Sequence, residues 1–197
     1  MGGTIRLCLG MLSAAVLAAA VAGCGSGSST SAADTVTRPY PWVKGPAREF
    51  LVPGGDNAIP TFGEEGTSRE RAEATTVVTA WLRARAAKNW KRECAYLSAA
   101  SAKGLTKDAH GVTKGRVDSC AGALDYFKFE AHGNFESTLG GPIDSLRVGE
   151  RPGAGSHPIS LGWAMYHGTD GKDWIVPLVR EGGEWKVSGM GPLQSQH

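Results

Sequence analysis

The stretch that decides the fold prediction is WIVPLVREGGEWKV, residues 174–187. From Trp174 to Leu178 every second side chain is large and apolar, which is the period of a strand with one buried face. The Gly-Gly pair at 182–183 fits a tight hairpin turn, because such turns need backbone with positive φ. A second strand begins at Trp185. The stretch therefore predicts an antiparallel β-hairpin.

The residues upstream extend this hairpin into a meander. Alternation over 159–167 places five side chains on one face of a strand, namely Ile159, Leu161, Trp163, Met165 and His167. A turn at 168–171 links that strand to the hairpin, and a weaker alternation predicts a further strand over 143–148. The sequence thus predicts about four antiparallel strands.

Helical signals precede the strands. Thr67 and Glu70 have the spacing of a capping box, and an apolar stripe at helical spacing runs from there to Lys88. Asn89 can end this helix and cap the next one. Shorter helices are predicted at 90–98 and 116–124, with a glycine- and lysine-containing loop between them. Helices that precede an antiparallel meander indicate an α+β domain over 67–197, with the helices on one face of a curved sheet.

Composition narrows the function classes. The chain has 197 residues, with 21 Lys and Arg against 19 Asp and Glu. This near-neutral balance and the scattered basic residues exclude a basic nucleic-acid groove as the default interpretation. Glycine accounts for 28 residues, roughly twice the usual share of about 7%. Many of these glycines are therefore expected in turns and tethers.

The N-terminus has the features of a targeting segment over 1–23. Arg6 is its only charged side chain, and the apolar run at 7–21 is shorter than the ~18 residues expected of a membrane span. The run ends in Val21-Ala22-Gly23-Cys24, which resembles the lipobox of bacterial lipoproteins.

That resemblance implies cleavage before Cys24 and transfer of diacylglycerol, with fatty acids such as palmitate, to its sulfur. The mature protein would then be held on the extracytoplasmic face of the cell membrane, because two acyl chains give stable anchoring. The alternative is an ordinary secretory signal followed by a fortuitous cysteine.

A Gly-, Ser- and Pro-rich segment follows the lipobox. Residues 24–66 contain five of the ten prolines and few apolar repeats, which predicts a flexible tether. We expect 34–50 to be mostly disordered. We expect 50–66 to be an extended strap that lies against the domain, with turn chemistry at 54–57.

The helix that ends AWLRARAAKNW, residues 80–90, and the late hairpin at 174–187 together carry a second resemblance. The chain over about 67–193 is similar to the NTF2-like (cystatin-like, cone-shaped) superfamily, in particular to its small lipoprotein domains of unknown function. The resemblance implies helices packed on a curved sheet. It implies little about activity, because this superfold hosts enzymes, binding proteins and assembly modules.

Four cysteines remain to be assigned. Cys8 leaves with the targeting segment and Cys24 is the lipidation candidate, which leaves Cys94 and Cys120 as an even pair. In an extracytoplasmic compartment we expect these two to form a disulfide, the alternative being two free thiols. The spacing of the cysteines and histidines indicates no metal site, and no cofactor is predicted.

Candidate pocket residues follow from the same resemblance. NTF2-like enzymes use a pocket Asp or His as a base, with Tyr or Asp donors at an enolate oxygen. Asp125, Tyr126, Tyr166 and His167 are the group to test for such a role, and Trp163 shares the predicted strand face of His167. The alternative is that these are ordinary strand-end, loop and core residues.

A run of cations lies around the first helix junction, at Arg83, Arg85, Lys88, Lys91 and Arg92. A solvated helix surface explains such a run, and the alternative is a patch that faces anionic headgroups or envelope polymers.

The sequence holds no phosphate-binding loop, dinucleotide fingerprint, nucleophile elbow or HExxH motif. We therefore expect a non-catalytic role, binding either a small ligand or an envelope protein. One alternative is a cone-pocket enzyme of the isomerase or cyclase type. The other is a structural accessory of an envelope complex, packed as a dimer through an open sheet face.

Overall fold

A single antiparallel sheet organises the residues that the computed structural model describes, which are 40–127, 141–151, 158–189 and 191–192. The strands follow the order β1-β2-β3-β4-β5, and β6 pairs with β4. Their bounds are β1 Glu64–Glu65, β2 Ser145–Arg151, β3 Ile159–His167, β4 Asp173–Glu181, β5 Glu184–Val187 and β6 Gly191–Pro192. The predicted hairpin is confirmed, since Glu181 pairs with Glu184 across a turn in which Gly182 and Gly183 both have positive φ.

Among the described residues four α-helices precede most of the sheet, and their bounds are α1 Ser68–Ala86, α2 Trp90–Tyr96, α3 Ala99–Val112 and α4 Cys120–Phe127. The predicted capping box begins α1: Thr67 donates its backbone N–H to the Glu70 carboxylate at 2.9 Å and accepts the Glu70 N–H on its hydroxyl. Asn89 caps α2 by accepting the Arg92 N–H at 3.1 Å.

The α+β class and the helices-first order are confirmed, and two details of the prediction are wrong. The main path of the sheet has five strands rather than four, because β1 contributes only two residues and carries no detectable alternation. The segment predicted as a loop after 103–104 is helix α3. Ser98 caps this helix, and Gly104 has open space around it.

One face of the sheet, called here the helical face, packs against α1. Alternate residues of β3 and β4 point to this side and meet the buried stripe of α1. The cluster is filled by large side chains, chiefly Trp81, Leu82, Leu146, Tyr166, Trp174, Leu178 and Trp185. The helical face is therefore a packed hydrophobic core.

The opposite face is covered by residues 40–62, called here the strap. The strap contains a 3₁₀ helix, Gly45–Phe50, and its buried side chains pack on Met165. The flexible tether predicted to residue 66 and the disorder predicted over 34–50 are wrong for the described part, from Tyr40 onward, whereas the expectation that 50–66 lies against the domain agrees with the structure. Apolar side chains such as Val43 and Phe50 gain a partner surface on the sheet, which offsets the entropy of ordering the chain.

A buried arginine fixes the end of the strap. Arg147 on β2 is 5% exposed, and its guanidinium donates to the carbonyl of Phe62 at 2.8 Å and to the carbonyl of Gly63 at 2.5 Å. Glu65 supplies the compensating charge at 3.6 Å. Because an unpaired buried cation is strongly unfavourable, these contacts hold the strap and β1 against β2.

Candidate functional site

The structure does not bring the candidate pocket residues together. Trp163 and His167 project from β3 on the strap side of the sheet, in register with the side chains that the strap covers. Asp125 and Tyr126 lie on α4, which packs against α2 and α3. Tyr166 is fully buried on the helical face. The five residues thus divide among three surroundings and form no single pocket.

The imidazole of His167 contacts carboxylates rather than lining a cavity. Its Nδ1 lies 2.7 Å from Asp173 and its Nε2 lies 3.5 Å from Glu49 of the strap. The backbone N–H of His167 donates to Asp144 at 2.8 Å. Both ring nitrogens therefore face a carboxylate, and the imidazole links the strap to the end of β3.

This setting changes the proton affinity of the ring. Partial burial acts to lower the pKa of His167, but the hydrogen bond and charge of Asp173 act in the opposite direction. Glu49 and Asp144 add to that effect, and the net result is a raised pKa. A more basic imidazole is suited to an ion pair with the strap.

Asp125 and Tyr126 have surface roles in the structure. The Asp125 carboxylate accepts the indole N–H of Trp90 at 3.2 Å, which ties α4 to α2. Tyr126 is about half exposed and makes an edge contact with Phe127. The interpretation of these two as ordinary surface residues fits the geometry better than a catalytic role.

A buried ion pair, which the sequence analysis did not single out, lies between α1 and α2. Glu93 is 1% exposed, and its carboxylate lies 3.4 Å from the Arg85 guanidinium. Burial raises the pKa of Glu93, while Arg85 and the indole N–H of Trp81 act to lower it. Arg85 also lies over the Trp81 ring at 5.1 Å. The sequence position of Arg85 within the cation run did not predict its ion pair with Glu93, because helical spacing alone does not indicate which side chain has a buried partner.

The structure places the two cysteines of the expected disulfide at bonding distance. Cys94 on α2 and Cys120 at the start of α4 are bonded, with their Cα atoms 6.1 Å apart. Within the described ranges, no group of three or more His, Cys, Asp or Glu side chains is placed to hold a metal ion.

An open groove lies beside this disulfide, between α3 and the start of α4. Its volume is about 430 Å³, and it is lined by Ala102, Lys103, Thr106, Lys107, His110, Asp118 and Cys120. Lys103 and Lys107 are one helical turn apart, and both are exposed. Among the described residues neither amine forms an ion pair, so both are available to an anionic ligand.

The sequence analysis missed this groove because it predicted a loop over part of α3. The cation run at the first helix junction is only partly a surface patch. Arg83, Lys88, Lys91 and Arg92 are exposed, whereas Arg85 is engaged by Glu93. Cys24 and the lipobox lie outside the described residues.

Over the described part of the chain, no helix combines the length and the apolar character that crossing a membrane requires. Comparison with protein-family models, curated proteins and solved structures gave no match.

Proposed function

We propose that the protein is a lipoprotein anchored through Cys24 to the extracytoplasmic face of the cell membrane, and that its domain binds a ligand or a protein without catalysing a reaction. The observation that carries the proposal is the Cys94–Cys120 disulfide. Stable disulfides belong to oxidising compartments, and this one leaves Cys24 as the odd thiol of the chain beyond the targeting segment. That thiol stands directly after the apolar run and the small residues of the lipobox-like stretch.

The non-catalytic part of the proposal is supported by the packing. Three tryptophans and several aliphatic side chains fill the helical face, where a cone-shaped pocket would have its floor. The one histidine on the predicted strand face has carboxylates at both ring nitrogens. The alternative of an isomerase- or cyclase-type enzyme has less support for these reasons. The proposal keeps the NTF2-like resemblance, with which helices on one face of the sheet are compatible.

The groove beside the disulfide is the ligand site that the geometry favours. Lys103 and Lys107, which have no ion pair among the described residues, and the exposed His110 outnumber the one carboxylate of the lining, Asp118, and suit a negatively charged group, while Ala102 and the disulfide edge offer apolar contact. A ligand that carries a phosphate or carboxylate group therefore fits this groove best. The third alternative, a dimer packed through an open sheet face, has less support because the strap covers Met165 and its neighbour Ile175.

The anchor is tested by expressing the full chain in a bacterium that processes lipoproteins. We expect the wild-type protein to partition into detergent and to begin at a Cys24 that carries fatty acids. Cys24→Ser should abolish lipid attachment, whereas Cys8→Ser, the same change within the segment to be removed, should leave it intact. A mature protein without fatty acids contradicts the anchor.

The groove is tested by a thermal-shift titration of the purified full chain with pyrophosphate and with citrate. We expect one of these anions to raise the melting temperature by a few degrees. The double variant Lys103→Ala and Lys107→Ala should lose this response. The matched control, Lys88→Ala with Lys91→Ala, removes two exposed lysines outside the groove and should keep it. An equal response in both double variants contradicts the site.

A further inference from the structure

Trp42 is the most exposed of the large apolar side chains in the described part of the chain. Its side chain is 62% exposed, and it lies in the first residues of the strap. The indole ring has a large apolar surface and one polar N–H group. Tryptophan side chains are therefore usually found where one end of the ring contacts an apolar environment and the other contacts water. Its exposure therefore needs an explanation.

The indole is held in a fixed place rather than left on a loose end. Pro41 restricts the backbone before it, and Val43 donates its N–H to the carbonyl of Tyr40 at 3.1 Å, which closes the turn. Val43 is buried between the strap and the sheet, and the Tyr40 ring makes an edge contact with the indole at 5.6 Å. The turn thus displays Trp42 on a rigid base.

The position of this turn in the chain limits its distance from the proposed anchor. Tyr40 follows Cys24 by sixteen residues, and a chain of that length spans at most about 55–60 Å in any conformation. Lys44 and Arg48, both exposed, lie two and six residues further along the strap and add positive charge to this segment, while the neighbouring Glu49 is paired with His167. Tryptophan flanked by basic side chains is the combination that favours the interface of an anionic lipid bilayer.

We propose that Trp42 inserts its indole into the headgroup region of the membrane that holds Cys24, so that the strap side of the domain faces the lipid. This inference rests on the proposed lipid anchor. The exposed members of the cation run, Arg83, Lys88, Lys91 and Arg92, lie near the helices that pack on the other side of the sheet, and in this arrangement they face away from the membrane.

The test uses the lipidated full chain reconstituted into phosphatidylglycerol-containing vesicles, with phospholipids brominated near the headgroup end of the acyl chain as the quencher. We expect tryptophan emission to fall in brominated vesicles relative to unbrominated ones. Trp42→Phe should lose more than half of this quenching. Trp90→Phe, which removes another tryptophan, should retain it.

Flotation of the vesicles separates the two proposals. A wild-type chain that fails to float with the vesicles overturns the anchor, and this inference with it. A chain that floats but shows equal quenching in wild type and Trp42→Phe overturns the inference alone. Trp42 protected by a second copy or a protein partner would give that same equal quenching. A melting temperature of the Trp42→Phe variant equal to that of the wild-type chain verifies that the variant is folded.

Discussion

The ring of Phe50 lies parallel to the imidazole of His167, with the ring centroids 4.5 Å apart and an interplanar angle of 11°. Phe50 closes the 3₁₀ helix of the strap and His167 ends β3. This stacking and the Glu49 contact join a segment that the sequence analysis placed in a tether to the central part of the sheet. The strap is therefore a structural part of the domain.

Removal of the Phe50 ring tests that conclusion. Phe50 is 1% exposed, so Phe50→Ala should lower the free energy of unfolding by about 3–5 kcal/mol, because it leaves a cavity over Met165. Trp42→Ala is the matched control in the same segment and should change it by less than about 0.5 kcal/mol, because that ring is exposed. Denaturant unfolding measures both. Equal, small effects would mean that the strap does not contribute to stability.

Stability should depend on pH through His167. Its pKa is raised in the folded state, so its contribution is fully present below the unfolded pKa of about 6.5 and is lost as pH rises through the folded pKa. The groups that face the ring are Asp173, Glu49 and Asp144, with Phe50 stacked on it. Because His167 is 47% exposed, we expect a loss of only about 0.2–1 kcal/mol, as for exposed ion pairs.

The measurement compares unfolding of the wild-type chain with that of His167→Gln at pH values from about 5.5 to about 9. The difference between the two proteins should be larger at the acidic end and should shrink as pH rises. A difference that stays constant, or that grows with pH, contradicts the proposed role of the protonated imidazole.

The disulfide should make a large contribution to stability. It closes a loop of 26 residues, for which the chain-entropy model gives about 3–4 kcal/mol. Cys94→Ala combined with Cys120→Ala should lower the free energy of unfolding by that amount. Reductant should produce a similar loss in the wild-type chain and none in the double variant. A double variant as stable as wild type would contradict this prediction.

Substitutions of Arg85 and Glu93 should have strongly non-additive effects on the free energy of unfolding. Glu93→Leu removes the carboxylate that lies 3.4 Å from a guanidinium with little exposure, and we expect the free energy of unfolding to fall by about 1–3 kcal/mol. Arg85→Met leaves a buried carboxylate and should also be destabilising. The double variant should be less destabilised than the sum of the two. Additivity within about 0.5 kcal/mol would show that the charges do not interact.

Local patterns were sufficient for much of the fold. The Gly-Gly turn, the Thr67–Glu70 capping box and the alternation along β3 and β4 depend on neighbouring residues, and all were predicted. The disulfide followed from the number of cysteines and the expected compartment. Helix α3 was missed because Gly104 lies inside it, and glycine is normally unfavourable in a helix.

The strap and the groove depend on contacts between distant parts of the chain. Val43, Ala47 and Phe50 have the i, i+4, i+7 spacing of a short helical stripe, but they lie in a proline-rich stretch, and the surface that buries them becomes visible only when Met165 is placed opposite them. The same holds for Arg147, whose partners are two backbone carbonyls of the strap. No window of local sequence contains both members of such a pair.

The strap also has a consequence for the order in which the protein is made and matures. Phe50 leaves the ribosome more than one hundred residues before His167, its stacking partner, and contacts this far apart in sequence form slowly. The strap therefore has nothing to dock on until β3 has been made. Under the proposed lipid anchor, we expect processing at Cys24 to precede completion of the tertiary structure.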